Sequence, residues 1–483
     1  MTTIFLPVIL IMSALLRAYN NTAIALWHDE AFSALYMRYP WGEMMTRIGL
    51  DVHPPLYYLV LRVWTMFAGD SLLSLRLLSI LFGVLTVWAG YAFIKAAFQN
   101  RRLAMLAAVF LAINPFQIQY ALEARMYTLG TFLILWSSYF LIKGLESTNS
   151  KKYWVGFSLT VAASLYTHYY LLFSVAAQGL FVLLYFLRHR EVKKFAAAIA
   201  AFVLAFVLYI PWIPTLLAQV GRVQENYWIP AMTAWSVPGT VWKMIFGGDG
   251  VRNSILVISS IVTLYLIYYF LKRVSSFSKW LVLLGLLVPL AAAIAISFQS
   301  NLYLDRYFVF ASLYFTILLA ITLHYVPKLY LRWFLIALFI AGMLYSFSAN
   351  WKKLDATDKP GMSQAAQIIN LNAKPGDKIY VGSSFIFFTF KYYNHTDVAP
   401  QLISDRPLSE IPHFSGTAIL TDEDLILNPE KTAKGSVIWL VWTTGFGGTK
   451  PAIPKTWQEL SSQKIPDTPS FKGDIFVEKY RVN

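Results

Sequence analysis

Apolar residues in this chain come in long runs separated by short polar connections. Runs able to cross a hydrocarbon core of about 30 Å lie near residues 4–20, 72–94, 103–120, 127–143, 153–167, 169–187, 195–217, 254–271, 280–298, 307–325 and 332–349. They predict a polytopic α-helical membrane protein with about eleven spans. Every second connection is basic: Lys95 with Arg101 and Arg102, Lys143 with Lys151 and Lys152, Arg188 with Arg190, Lys193 and Lys194, Lys272 with Arg273 and Lys279, and Lys328 with Arg332. Lys- and Arg-rich loops stay in the cytoplasm, so the N-terminus is expected inside and the C-terminus outside.

The remaining connections, 21–71, 114–127, 167–169, 218–253, 299–306 and everything after 350, then fall on the external face. In the first of them Trp41, Met44, Met45 and Ile48 recur at helical spacing around Glu43 and Arg47, which predicts a short helix lying in the interface. Leu56 to Phe67 is too short to span and carries Arg62; Pro54 and Pro55 suit its helix start. Residues 1–350 are therefore read as a membrane domain containing a structured surface platform at 21–71, and 351–483 as a small soluble α/β domain on the external, periplasmic side. In that domain helices are expected at 363–371 and 384–393, and strands at 377–382, 416–421, 436–443 and 474–481. Gly445, Gly447 and Gly448 lack the residues of a phosphate-cradling loop and read as a turn.

Composition sharpens this. Of 483 residues 57% are hydrophobic and 13% charged, about half the charged share of a soluble protein. The net charge of +15 sits in the topology-setting loops, so no nucleic-acid partner is expected. The chain has no cysteine, which removes disulfides, thiolate metal sites and Cys nucleophiles. Met1 to Leu16 lacks a basic start and a small-residue cleavage site, so the first apolar run is read as retained.

The chemistry gathers on one side of the membrane: His28, Asp29, Glu30, Asp51, His53, Glu123, Arg125, His168, Asp249, Asp305 and Arg306. Asp29 and Glu30 are adjacent carboxylates at the end of an apolar run; they either cap a helix or supply a general base, one taking the proton while the other holds a neighbouring cation. His53, in Asp51-Val52-His53-Pro54-Pro55, caps a helix, binds a phosphate oxygen or donates a proton; as a metal ligand it would need a distant partner, for which His168 is the candidate. Arg125 after Glu123, and Arg306 after Asp305, either pair with those acids or await a substrate phosphate. The 218–253 loop, with Tyr227, Trp228, Trp235 and Trp242, is either an aromatic cover or an interfacial belt.

An external Asp-Glu pair, a Pro-Pro-Leu-Tyr-Tyr segment, Glu-Ala-Arg-Met-Tyr and a late Arg-Tyr resemble the GT-C glycosyltransferases, in their protein O-mannosyltransferase and aminoarabinose transferase branch. The resemblance implies inverting transfer of a hexosyl or pentosyl group from a polyprenyl-phosphate donor to a hydroxyl of a glycan, lipid or protein. It casts Asp29 as catalytic with Glu30 its companion, and His53, Arg125, Arg306 and Tyr307 as holding the donor phosphate; Tyr57 and Tyr127 belong to the same motifs. It places the chain in a membrane, with a bacterial plasma membrane expected. Val52 stands where the branch has a Glu before its phosphate-binding Lys, so no cofactor is assigned beyond a candidate divalent metal. No β-trefoil insertion like that of the mannosyltransferases is evident. Two other readings use the same residues: a transporter or flippase of lipid-linked sugars, and a non-catalytic glycan-binding scaffold.

Overall fold

The computed structural model describes residues 5–225, 229–248, 250–353, 361–467 and 473–483; Tyr227, Trp228 and Asp249 lie outside them. Every predicted apolar run is helical. Among the described residues, eight helices are long and apolar enough to cross a membrane: Leu72–Phe98, Tyr127–Glu146, Leu171–His189, Val192–Gln224, Asn253–Arg273, Lys279–Ser297, Asp305–His324 and Leu329–Asn350. Arg101–Ile113 and Pro115–Ala121, bent by 57°, make a ninth if they count as one span. The expected count of eleven is not reached on length. Phe5–Ala18 and Lys151–Leu165 have 14 and 15 residues, about 21–23 Å of helix, which is less than the hydrocarbon thickness.

The bend has a local cause. Pro115 brings no N–H, so carbonyls at the end of Arg101–Ile113 lose helical donors. Arg17, 1% exposed, replaces them: Nη1 donates to the Ala112 carbonyl at 2.8 Å and Nη2 to that of Leu111 at 3.2 Å. The Asn114 side chain accepts the Gln117 N–H at 3.0 Å and donates to the Met244 carbonyl at 2.8 Å and to Thr316 Oγ1 at 2.9 Å. The break is thus capped on both sides, and it directs residues 122–126 over the mouth of the bundle.

The same mouth carries the surface platform. Helices Trp41–Leu50 and Leu56–Ala68 form as the pattern predicts, and a further helix, His28–Tyr36, precedes them. Apolar residues of the platform, among them Phe32, Tyr36, Met44 and Ile48, share one core with Ile386, Phe387, Phe388 and Ile419 of the C-terminal part.

That part is a six-stranded mixed sheet: β1 (Lys378–Val381), β2 (Pro400–Ile403), β3 (Leu425–Ile426), β4 (Val437–Thr443), β5 (Trp457–Pro466) and β6 (Asp474–Val482), in the order β3-β2-β1-β4-β6-β5. β1, β2, β3 and β4 run parallel, with Ile379 opposite Pro400 and Trp439; β6 pairs antiparallel with both β4 and β5. Helices Gly361–Asn372 and Ser384–Tyr393 form as expected. The predicted strand at 416–421 is a turn instead. Its apolar residues Ala418, Ile419 and Leu420 are buried against the platform rather than in the sheet. β2, β3 and β5 were not expected; β5 is an edge strand, exposed along most of its length, without the apolar alternation that marks a half-buried strand.

Candidate active site

Helix His28–Tyr36 separates the two adjacent acids by about 100° of rotation. Glu30 points into the bundle and is 1% exposed. Arg76, inside the span Leu72–Phe98, grips it with Nε at 2.8 Å from Oε1 and Nη2 at 2.7 Å from Oε2. Glu30 also accepts the Ala124 N–H at 2.8 Å and, as a helix cap, the Trp27 N–H at 3.4 Å. Arg76 further donates to the carbonyls of Asn21, Ile24 and Ala25. The sequence reading missed Arg76. The signal was an arginine inside an apolar run, Leu72-Leu73-Ser74-Leu75-Arg76, a residue that needs a buried partner.

Asp29 turns the other way. Its Oδ2 lies 3.1 Å from Arg306 Nη1, and the pair stays accessible, with side-chain exposures of 25% and 23%. The Trp27 ring lies 5.3 Å from the Arg306 guanidinium. Arg125, 2% exposed, sits beneath. Its Nη1 donates to the Asp29 carbonyl at 3.2 Å, to Ser33 Oγ at 3.2 Å and to Tyr58 Oη at 3.3 Å. Its Nη2 lies 3.1 Å from His53 Nε2, and His53 Nδ1 lies 3.0 Å from Asp51 Oδ2. Since a guanidinium can only donate, His53 Nε2 accepts and Nδ1–H faces Asp51. Asp51, His53, Arg125, Asp29 and Arg306 therefore form one connected chain of polar groups.

Neither arginine pairs with the acid beside it in sequence. Asp305 is held by Lys243 and by Thr240 Oγ1, the latter at 2.6 Å, from helix Ser236–Phe246. Lys243 was not foreseen. Trp235, Trp242, Lys243, Tyr303 and Asp305 line a cavity of about 320 Å³ beside the arginine. Glu123 stays in the burial of the 122–126 loop, where its Oε2 has no hydrogen-bond partner among the described residues.

Charge within the site follows from this packing. Burial alone would raise the Asp29 carboxyl, but the Arg125 and Arg306 guanidiniums outweigh it and hold it below the usual carboxylate range. Burial likewise acts to raise Asp51, and the adjoining His53 pulls it down. At Glu123 the balance falls the other way: burial, then the charge of Glu30, outweigh the opposing Arg306 and Arg125 guanidiniums and push it up to about 8. It is a neutral acid at pH 7.

The other sequence candidates surround the chain of polar groups. His168, Tyr127 and Tyr307 form an aromatic wall, with the His168 ring 6.0 Å from that of Tyr127 and 5.1 Å from that of Tyr307. Tyr57 is 1% exposed and packs edge-on to Tyr58 below the site. His28 faces away from Asp29, into the C-terminal domain.

The residues do not fit the candidate divalent metal. Both nitrogens of His53 are engaged, one of them by a guanidinium, and His168 Nδ1 accepts the Tyr170 N–H at 3.1 Å; His168 Nε2 is buried without a hydrogen-bond partner among the described residues, but one ring nitrogen does not make a metal site. Burial and then the charges of His53, Arg125 and Arg306 disfavour a cation at His168. Among the described residues no group of three or more His, Asp or Glu is arranged to hold a metal ion.

Residues 52–214 match the dolichyl-phosphate-mannose-protein mannosyltransferase family. No curated protein matches in sequence. ArnT from Cupriavidus metallidurans bound to undecaprenyl phosphate aligns with 99% of this chain over 98% of its own length, at 12% identity and a TM-score of 0.65. The apo form of ArnT from the same organism aligns with 97% of each chain at 13% identity and a TM-score of 0.61. The Archaeoglobus fulgidus oligosaccharyltransferase tethered to an acceptor peptide containing the NVT sequon aligns with 83% of this chain and 64% of its own, at 12% identity and a TM-score of 0.51. The matched segment contains His53 and Arg125, and the fold likeness runs through both the helical bundle and the C-terminal sheet: the chain has the fold of ArnT, and about a third of it is similar to the dolichyl-phosphate-mannose-protein mannosyltransferase family.

Proposed function

We propose that the protein transfers a sugar from a polyprenyl-phosphate donor to a hydroxyl acceptor, with inversion at the anomeric carbon, on the external face of the membrane. The observation that carries this reading is the accessible Asp29–Arg306 pair, 3.1 Å apart, with Arg125 buried behind it. A carboxylate and two guanidiniums at one mouth match the two demands of the reaction. Asp29 takes the proton of the acceptor hydroxyl while that oxygen bonds to the anomeric carbon. The bond from that carbon to the phosphate oxygen breaks, and its electron pair leaves on polyprenyl phosphate. The phosphate gains one negative charge in this step, and preoriented Arg306 and Arg125 stabilise that charge as it develops.

Arg306 links the two halves. While it pairs with Asp29 the carboxylate is a weak base; a donor phosphate that draws the guanidinium toward itself restores basicity where the acceptor arrives. His53, whose Nε2 is occupied by Arg125, is assigned to orienting that arginine rather than to touching phosphate. Tyr127, Tyr307 and His168 provide the wall that excludes water. The order of basic loops in the sequence supports an N-terminus in the cytoplasm and a C-terminal domain outside.

The test is incubation of the purified protein with a panel of polyprenyl-phosphate sugars and hydroxyl acceptors, read by mass spectrometry. Free polyprenyl phosphate and a glycosylated acceptor are expected from the wild type and not from Asp29→Asn. Release of neither product by the wild type, with labelled donor crossing a vesicle membrane intact, would establish translocation instead.

A further inference from the structure

The helix that carries Asp29 has two partners. The bundle holds one side through Glu30, Ser33 and the Asp29 carbonyl. The C-terminal domain holds the other through His28 and Phe32, which lie four residues apart on one face. Helix Ser384–Tyr393 lays two rings on that face: Phe385 and Phe388 stand 5.7 and 5.3 Å from the His28 ring, and Phe388 stands 5.6 Å from Phe32 at 90°. The contact is closed from behind by Gly416, at φ +86°, where a Cβ would run into the Phe388 ring and come within 3.3 Å of Phe32. Polar bonds tie the same joint. Tyr393 Oη accepts the Leu26 N–H at 3.0 Å, Tyr392 Oη donates to the Asp70 carbonyl at 2.8 Å, and Arg38 Nη2 donates to the Tyr392 carbonyl at 3.3 Å.

We infer that this aromatic clamp positions Asp29, so that Phe385 and Phe388 of the C-terminal domain set the turnover rate of a centre they do not touch. The inference rests on the glycosyltransferase reading above. The physical argument is leverage. Helix His28–Tyr36 has nine residues, too few to hold its own shape in water, and its orientation comes from what packs on it. Asp29 adjoins His28 in the chain, so a tilt that lets His28 sink into space vacated by a ring moves the carboxylate as well. A displacement of about 1 Å lowers a rate by about 100-fold when the base must meet a hydroxyl in line with the leaving phosphate. The donor arginines are carried outside the clamp, on the 122–126 loop, where Tyr58 and His53 also hold Arg125, and on span Asp305–His324, so donor affinity changes less than turnover.

The test compares Phe385→Ala with Phe388→Leu in the full-length protein in lipid nanodiscs. Phe385 is only partly buried, so its truncation leaves the domain folded; Phe388→Leu keeps most of the volume of a core ring. Expected for Phe385→Ala are a kcat about 10- to 100-fold lower, an affinity for polyprenyl phosphate within about twofold of wild type, and faster amide hydrogen exchange across residues 28–36; Phe388→Leu, which keeps most of the packing, should keep most of the rate. Unchanged kcat and unchanged exchange in both variants would overturn the clamp. So would a loss shared equally by kcat and polyprenyl phosphate affinity, which marks general damage to the mouth. Faster exchange across residues 28–36 in Phe385→Ala than in a wild type that transfers no sugar leaves the clamp standing and removes the glycosyltransferase reading.

Discussion

The adjacent acids at 29 and 30 invite a single experiment that separates a structural carboxylate from a chemical one. Glu30 makes two short bonds to Arg76, and the side chains are 1% and 6% exposed. Removing one member of such a buried pair costs about 3–5 kcal/mol, because the other charge is left without compensation. Glu30→Gln belongs at the lower end, about 3 kcal/mol, since an amide oxygen still accepts the Ala124 N–H and Arg76 keeps three backbone carbonyls. Asp29→Asn touches a pair about a quarter exposed, in which an amide oxygen can still accept from Arg306, a smaller loss than at the fully buried Glu30, yet it deletes the base, which contributes roughly 10²- to 10⁴-fold. The two variants should therefore diverge. Glu30→Gln lowers the thermal midpoint strongly and leaves turnover per folded molecule within about tenfold of wild type, whereas Asp29→Asn keeps the midpoint and loses at least about 100-fold. Both are read by thermal unfolding in detergent alongside donor turnover, normalised to monodisperse protein. An inactive Glu30→Gln with an unshifted midpoint, beside an active Asp29→Asn, would reverse the assignment.

Three further outcomes follow from the same geometry. Arg306→Ala removes the cation shared by Asp29 and the donor, so affinity for polyprenyl phosphate should fall about tenfold or more; unchanged affinity in a direct binding measurement would leave Arg306 a structural partner of Asp29. Glu123, neutral below about 8, gains a negative charge beside Asp29 and Arg306 as pH rises through that value, so donor affinity should decline from pH 7 to 9. Glu123→Gln abolishes that decline, and an equal decline in variant and wild type would assign it to another group. Gly416→Ala forces a side chain against Phe388 at a positive φ, and should destabilise the protein by about 2–4 kcal/mol, read as a lower thermal midpoint; a wild-type midpoint would show that the joint yields.

The resemblance to GT-C enzymes rests on short motifs; residues 52–214 match the mannosyltransferase family, and the fold is that of ArnT at 12–13% identity. At both arginines distant residues displace the neighbouring acid. Arg125 ignores Glu123 for Asp29, Ser33, Tyr58 and His53; Arg306 ignores Asp305, which Lys243 and Thr240 occupy.

By itself, the sequence determined the class, the helices and the gathering of chemistry at one mouth. These follow from local rules: a lipid-spanning segment must be apolar and satisfy its own backbone bonds, and an ionisable residue avoids the hydrocarbon core. Such rules leave their mark residue by residue. Tertiary structure alone decided which acid is buried on a cation and which faces the arginines at the mouth, because that depends on the roughly 100° between successive residues of helix His28–Tyr36 and on Arg76, which stands 46 residues from Glu30. It also decided that residues 416–421 are a turn and that Phe385 and Phe388 press on the acid-bearing helix. A run such as Ala418-Ile419-Leu420 states that it must be buried and not against what. Burial is written along the chain by composition, whereas the partner is chosen by packing, which no single stretch contains.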